Sequence, residues 1–232
     1  MNHLTAAERL ILALDVTDRG AAERLVEATA GAVGTYKIGL EFALSGGIDF
    51  ARALVAEGHG VFLDMKLLDI ANTVAGAVRA ASSIGVTYLT VHAYPQALEA
   101  AVGARSGATK IVAVTVLTSL DDEDLTAAGY ALSAEALVEQ RIKAAVAAGA
   151  DCIVCSPQEA PQARASGLMV ITPGVRLAED GHGDQKRVAT PQKAIADGAH
   201  AVVVGRPINA APDPREAALR YRDAIEEGLV FA

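Results

Sequence analysis

Eight β-rich runs alternate with Ala-rich stretches of helical periodicity along this sequence, and no other feature limits its fold so strongly. The runs lie at 10–15, 35–39, 60–66, 87–92, 110–117, 152–156, 168–172 and 201–205. Helical stretches between them include 20–30, 47–57, 73–83, 95–104, 133–148 and 191–197. Gly58, Gly85, Gly149 and Gly198 close four of these stretches just ahead of the next strand, where a left-handed helix stop belongs. Eight β/α units in 232 residues predict a (β/α)8 TIM barrel forming a single domain over 1–232. A doubly wound open sheet is the alternative, but no glycine-rich dinucleotide loop follows any strand. No Pro- or Ser-rich linker and no low-complexity block divides the chain.

Composition narrows the partners. The chain is 52% apolar, enough to build a sizeable core. A net charge of −8 and a pI near 5.1 argue against nucleic acid or an anionic membrane as partner. No apolar run approaches the roughly 18 residues that span a bilayer. The stretch from Met1 to Arg9 lacks a basic segment followed by an apolar core, so no secretory signal is expected and the cytoplasm is the expected location. Cys152 and Cys155 form a CxxC inside an apolar, strand-like run. Strand alternation sends their sulfurs to opposite faces, whereas a redox pair needs both at a helix N-terminus.

The densest charge pattern is the stretch from Val61 to Thr73, with Asp64, Lys66 and Asp69 directly behind an apolar run. On a strand, Phe62, Asp64 and Lys66 share one face while Val61, Leu63 and Met65 share the other. Opposite charges at the end of a buried strand are costly to desolvate, so they suggest a site. Other strand ends carry polar residues too: Asp15, Lys37, His92, Thr118, Arg176 and Arg206. In a barrel those ends converge on one mouth. Gly205-Arg206 after the eighth run and Pro173-Gly174-Val175-Arg176 after the seventh fit a phosphate grip, with glycine admitting the anion and arginine supplying a donor fork. His182 between Asp180 and Asp184 lies on a glycine-rich loop and reads as a polar lid segment, not a metal site.

These motifs resemble the orotidine 5′-phosphate decarboxylase family in its short bacterial form, nearly end to end. The resemblance rests on Leu12-Ala13-Leu14-Asp15, Tyr36-Lys37-Ile38-Gly39, the run from Leu63 to Thr73, and Val91-His92-Ala93. It continues through Val116-Leu117-Thr118-Ser119, Thr172 to Arg176, Gly183-Asp184-Gln185-Lys186-Arg187 and Val203-Val204-Gly205-Arg206. The sequence departs from the commonest central motif at Leu68, where His is frequent, and at Ala71, where Pro is frequent.

The resemblance implies conversion of orotidine 5′-monophosphate to UMP without cofactor or metal. Lys66 would protonate C6 of the pyrimidine, Asp64 would flank it beside the substrate carboxylate, and Lys37 would complete the charged row while contacting the ribose. Asp69, with Ile70 and Thr73, would reach into the site of a second subunit, making the working unit a homodimer. Asp15 would hold a ribose hydroxyl and Thr118 would lie near the pyrimidine. Arg176, Gln185, Gly205 and Arg206 would bind the phosphate. A magnesium-dependent sugar-phosphate decarboxylase or aldolase on the same barrel is the nearest alternative, and a non-catalytic nucleotide-binding barrel a more distant one.

Overall fold

The computed structural model describes residues 4–178, 180 and 189–231. Its centre is a closed barrel of eight parallel strands in chain order: β1 (Leu10–Ala13), β2 (Thr35–Ile38), β3 (Gly60–Leu67), β4 (Tyr88–His92), β5 (Lys110–Val114), β6 (Cys152–Val154), β7 (Met169–Thr172) and β8 (Ala201–Val204). Closure is made by β8 pairing with β1, Leu10 to Leu12 lying opposite Val202 to Val204. All eight predicted strands are present, several shorter than the apolar runs. β5 ends at Val114, not at 117, because its partner β6 ends with Val154 opposite it and the ladder has nothing further to pair with.

The short strands are apolar on both faces, as parallel strands covered by helices must be. Ile11, Phe62, Tyr88, Val112, Cys152, Ile171 and Ala201 pack together inside the barrel. The alternate positions, among them Leu12, Tyr36, Leu63, Leu89 and Val170, pack outward against the helices. Leu54, Val78, Leu98 and Ile225 answer them from four different helices, each almost wholly buried and each worth about 1.5–3 kcal/mol of transfer free energy. The CxxC divides as expected, Cys152 in the inner cluster and Cys155 in the outer one. Burial pushes the Cys152 thiol up to about 12.

Helix ends follow their local chemistry. Asp18, Ser133 and Thr190 cap the helices Arg19–Ala28, Ala134–Ala148 and Pro191–Ala196 by accepting a backbone N–H of the first turn. Gly85 and Gly149 end the helices Ala71–Ile84 and Ala134–Ala148 in the left-handed conformation that glycine adopts without steric cost. Among the described residues no helix is long and apolar enough to cross a membrane.

One strand is irregular. Leu63 of β3 lies opposite Leu89 of β4, but Leu67 lies opposite Val91, so β3 carries two more residues than β4 over that span. An even insertion conserves face parity. Met65 and Leu67 still pack on the outer core, and Asp64 and Lys66 still point inward. The bulge is completed by a left-handed Lys66, at φ +48°.

Candidate active site

The bulge sets the local geometry. With the ladder broken between Leu63 and Leu67, the Lys66 N–H donates to the Thr90 hydroxyl of β4 at 2.8 Å. That hydroxyl donates in turn to Asp64 Oδ1 at 3.1 Å. Lys66 Nζ donates to the same Oδ1 at 2.7 Å. Thr90 is almost wholly buried and supplies the polar group that the interrupted ladder no longer provides.

A row of alternating charge runs from this point across β2 to β1. Lys37 Nζ stands 3.6 Å from Asp64 Oδ2 and 3.5 Å from Asp15 Oδ1. Lys37 and Asp64 are the sheltered pair, with side chains 12% and 15% exposed. Burial by itself would push the Asp64 carboxyl up, but the Lys37 and Lys66 ammoniums and the hydrogen bonds from Lys66 and Thr90 outweigh it and hold the group below the usual aspartate range. His92, next on the inner face of β4, is held below the ordinary imidazole value by burial, then by the Arg141 and Lys66 cations.

Asp15, Lys37, Asp64 and Lys66, but not His92, line a cavity of about 340 Å³ at the C-terminal mouth of the barrel, within the range of small-molecule sites. Val114 at the end of β5 and Val116, Leu117, Thr118 and Ser119 after it form one wall, and Val154 and Val203 the apolar floor. Arg176 and Arg206 complete the rim after β7 and β8. In a closed eight-stranded barrel β3 and β7 are half a circuit apart, so Lys66 and Arg176 face each other across the mouth. Arg176 Nε is buried and makes no hydrogen bond to the described residues. Its backbone is tied to Ala189 by a 3.0 Å N–H···O bond. Gly205 sits against Asp15, where a Cβ would come within 3.0 Å of the carboxylate. Asn209, on the short helix Arg206–Asn209, donates to the Ala13 carbonyl at 2.7 Å and ties this corner to β1.

Of the residues singled out from the sequence, Asp15, Lys37, Asp64, Lys66, Thr118, Arg176, Gly205 and Arg206 are brought together around one cavity. Asp69, Ile70 and Thr73 are not among its lining residues; all three are exposed, Asp69 and Ile70 on the connection after β3 and Thr73 in the first turn of the helix Ala71–Ile84, and Asp69 Oδ1 accepts the N–H of Ile70. Gln185, His182 and Asp184 lie outside the described residues. Asp180 uses its carboxylate within the fold, accepting from the Tyr221 hydroxyl at 2.5 Å and from the Leu177 N–H at 3.3 Å. Sequence reasoning missed Thr90. Its one signal is parity, since it lies two residues before His92 on the same face of β4.

Residues 8–221 match the family described as Orotidine 5'-phosphate decarboxylase / HUMPS family. A relative from Rhodopseudomonas palustris named orotidine 5'-phosphate decarboxylase is 53% identical over 229 residues, covering 97% of this chain and 95% of the relative. One of the same name from Methylorubrum populi is 54% identical over 215 residues, covering 91% and 92%. Among solved structures, the orotidine 5'-phosphate decarboxylase of Lactobacillus acidophilus superposes with a TM-score of 0.82 at 30% identity, covering 94% of this chain and 99% of that one.

Proposed function

The chain belongs to the orotidine 5′-phosphate decarboxylase / HUMPS family, and from that membership we propose that it converts orotidine 5′-monophosphate to UMP and CO2, with Lys66 as proton donor. The observation that carries the reading is the cavity with cations at both ends: the Lys37–Asp64–Lys66 row on one side and Arg176 with Arg206 on the other. The substrate is anionic at both ends, with a carboxylate on C6 and a phosphate on the ribose. Charge complementarity then orients it with the base toward β3 and the phosphate toward β7 and β8.

In the proposed reaction the C6–carboxylate bond breaks and leaves its electron pair on C6, while CO2 departs. No carbonyl is placed to delocalise that pair simply, so stabilisation falls to a preorganised charge. The Lys66 ammonium opposes the developing carbanion, donates its proton to C6, and recovers a proton from solvent. Asp64 keeps the ammonium in place through the 2.7 Å bond, and as a carboxylate it crowds the carboxylate that is leaving. Lys37, held between Asp15 and Asp64, contacts the ribose, Asp15 a ribose hydroxyl, and Thr118 the pyrimidine edge. Arg176, Gly205, Arg206 and Gln185 take the phosphate. Its binding energy, remote from C6, helps to order the charged row.

The reaction as proposed uses no metal or organic cofactor. Both Asp64 oxygens already face ammoniums, so a divalent cation at that carboxylate would have to displace Lys37 or Lys66. The same reading takes the chain as one barrel domain in the cytoplasm, working as a homodimer in which Asp69, Ile70 and Thr73 complete the partner's site. Support for pairing comes from apolar exposure at the mouth. Ile70 is 72% and Leu44 91% exposed, with Leu40 and Leu68 also bare, a grouping that marks an interaction surface.

The test is the ultraviolet absorbance of orotidine 5′-monophosphate mixed with purified protein in excess EDTA. A fall to the UMP spectrum is expected. A flat trace that falls only when magnesium is restored would instead indicate the metal-dependent sugar-phosphate chemistry of related barrels. A trace flat under both conditions, with folded protein, would leave a nucleotide binder.

A further inference from the structure

Arg141 is a buried cation that the chemistry above does not use. It lies on the helix Ala134–Ala148 and is only 9% exposed, yet no carboxylate among the described residues pairs with it. Its guanidinium lies against two phenol rings, 5.1 Å from the centroid of Tyr94 and 5.6 Å from that of Tyr130. Nη1 donates to the Thr115 carbonyl, and Nη2 donates to the Tyr130 hydroxyl at 3.1 Å. The two phenol oxygens hydrogen-bond each other. Tyr94 lies two residues beyond the end of β4, Thr115 follows β5 directly, and Tyr130 ends the excursion that precedes the helix.

One side chain therefore grips both ends of the segment between Thr115 and Tyr130 and ties them to the end of β4. That segment supplies Val116, Leu117, Thr118 and Ser119 to the cavity wall. Burying a guanidinium without a counter-ion is expensive, and an apolar side chain would fill the same space without that cost. What arginine adds is a planar fork that donates to two groups at once, the Thr115 carbonyl and the Tyr130 hydroxyl, while its charge lies against two aromatic rings. We propose that Arg141 is a positioning residue, acting through the 116–119 wall to hold the base end of the cavity in shape, and so governing recognition of the base and not of the phosphate. This rests on the decarboxylase reading above for the identity of the base.

The test uses Arg141→Met, which keeps length and apolar bulk, and Tyr130→Phe, which keeps the ring but loses both hydroxyl bonds. Two readouts are taken. The first is inhibition of turnover by UMP, which carries the base, and by ribose 5-phosphate, which lacks it. Arg141→Met is expected to weaken UMP roughly tenfold or more while ribose 5-phosphate changes less than about twofold; Tyr130→Phe shifts the same way by a smaller factor. The second is amide exchange in the free protein, expected to rise over 116–120, including the Leu120 N–H bonded to the Leu117 carbonyl, and to stay constant in the strands.

Equal weakening of both ligands, no weakening of either, or unchanged exchange over 116–120 overturns the proposal. If Arg141→Met does not fold, Tyr130→Phe decides it on the same two readouts. A wild-type protein that neither turns over orotidine 5′-monophosphate nor binds UMP sinks the decarboxylase reading instead, and the exchange measurement still judges the clamp.

Discussion

Asp64 is the residue on which the site turns, because both of its oxygens are engaged and both flanking ammoniums depend on it. Its carboxyl is depressed in the folded protein, so its contribution is fully present above the unfolded value near 3.9 and is lost as pH falls through the folded value. Asp64→Asn is therefore expected to lower stability at pH 7 by about 2 kcal/mol. The difference from wild type should shrink below about pH 4. Urea midpoints measured from pH 3 to 7 check both points, and a gap that stays constant over that range contradicts the assignment. Lys66 is tested more directly. Lys66→Ala should fold and lose turnover by a factor of about 10³ or more; retention of a tenth of the activity would remove it from the chemistry.

At the scale of the element, the two-residue insertion in β3 is what brings Asp64, Lys66 and Thr90 within hydrogen-bond reach. Lys66 is the one non-glycine with positive φ among the described residues, a conformation that costs a branched backbone roughly 1 kcal/mol. Comparing Lys66→Gly with Lys66→Ala separates backbone from side chain. Both should be inactive, and the glycine variant should be more stable by about 1 kcal/mol, as read from denaturant midpoints. Equal midpoints would mean that the left-handed turn carries no strain. The residue types and the inward face of this stretch were legible in the sequence because strand parity is local, and an even insertion leaves parity intact. The bulge itself was not, since nothing in the run from Val61 to Leu67 marks a break in pairing. Thr90 was hidden for a related reason: a threonine within a β run reads as a strand former. Arg141 was hidden because a charged residue on a helix reads as solvent-facing until the rings that bury it are known.

At the scale of the whole molecule, eight chosen residues from β1, β2, β3, β5, β7 and β8 or their exits meet at one cavity, while Asp69, Ile70 and Thr73 stay outside it. If Asp69 serves a second subunit, mixing inactive Lys66→Ala with inactive Asp69→Ala should restore activity. Random exchange makes half of the dimers hybrids, each with one intact site, so recovery approaches roughly a quarter of wild type. No recovery despite demonstrated subunit exchange would assign Asp69 to its own chain.

By itself, the sequence determined the barrel and the roster at its mouth. The alternation of periods, the glycines closing the helices and the polar residues at strand ends are all local properties, readable one segment at a time. The tertiary structure alone decided which of those residues touch. The offset of β3 against β4, the left-handed Lys66, the three partners of Asp64 and the burial of Arg141 against two tyrosines each depend on the register of a neighbouring strand or on barrel closure. Contacts such as Lys66 to Thr90 and Thr90 to Asp64 join residues 24 and 26 positions apart, and a separation of that length leaves no mark in the local pattern.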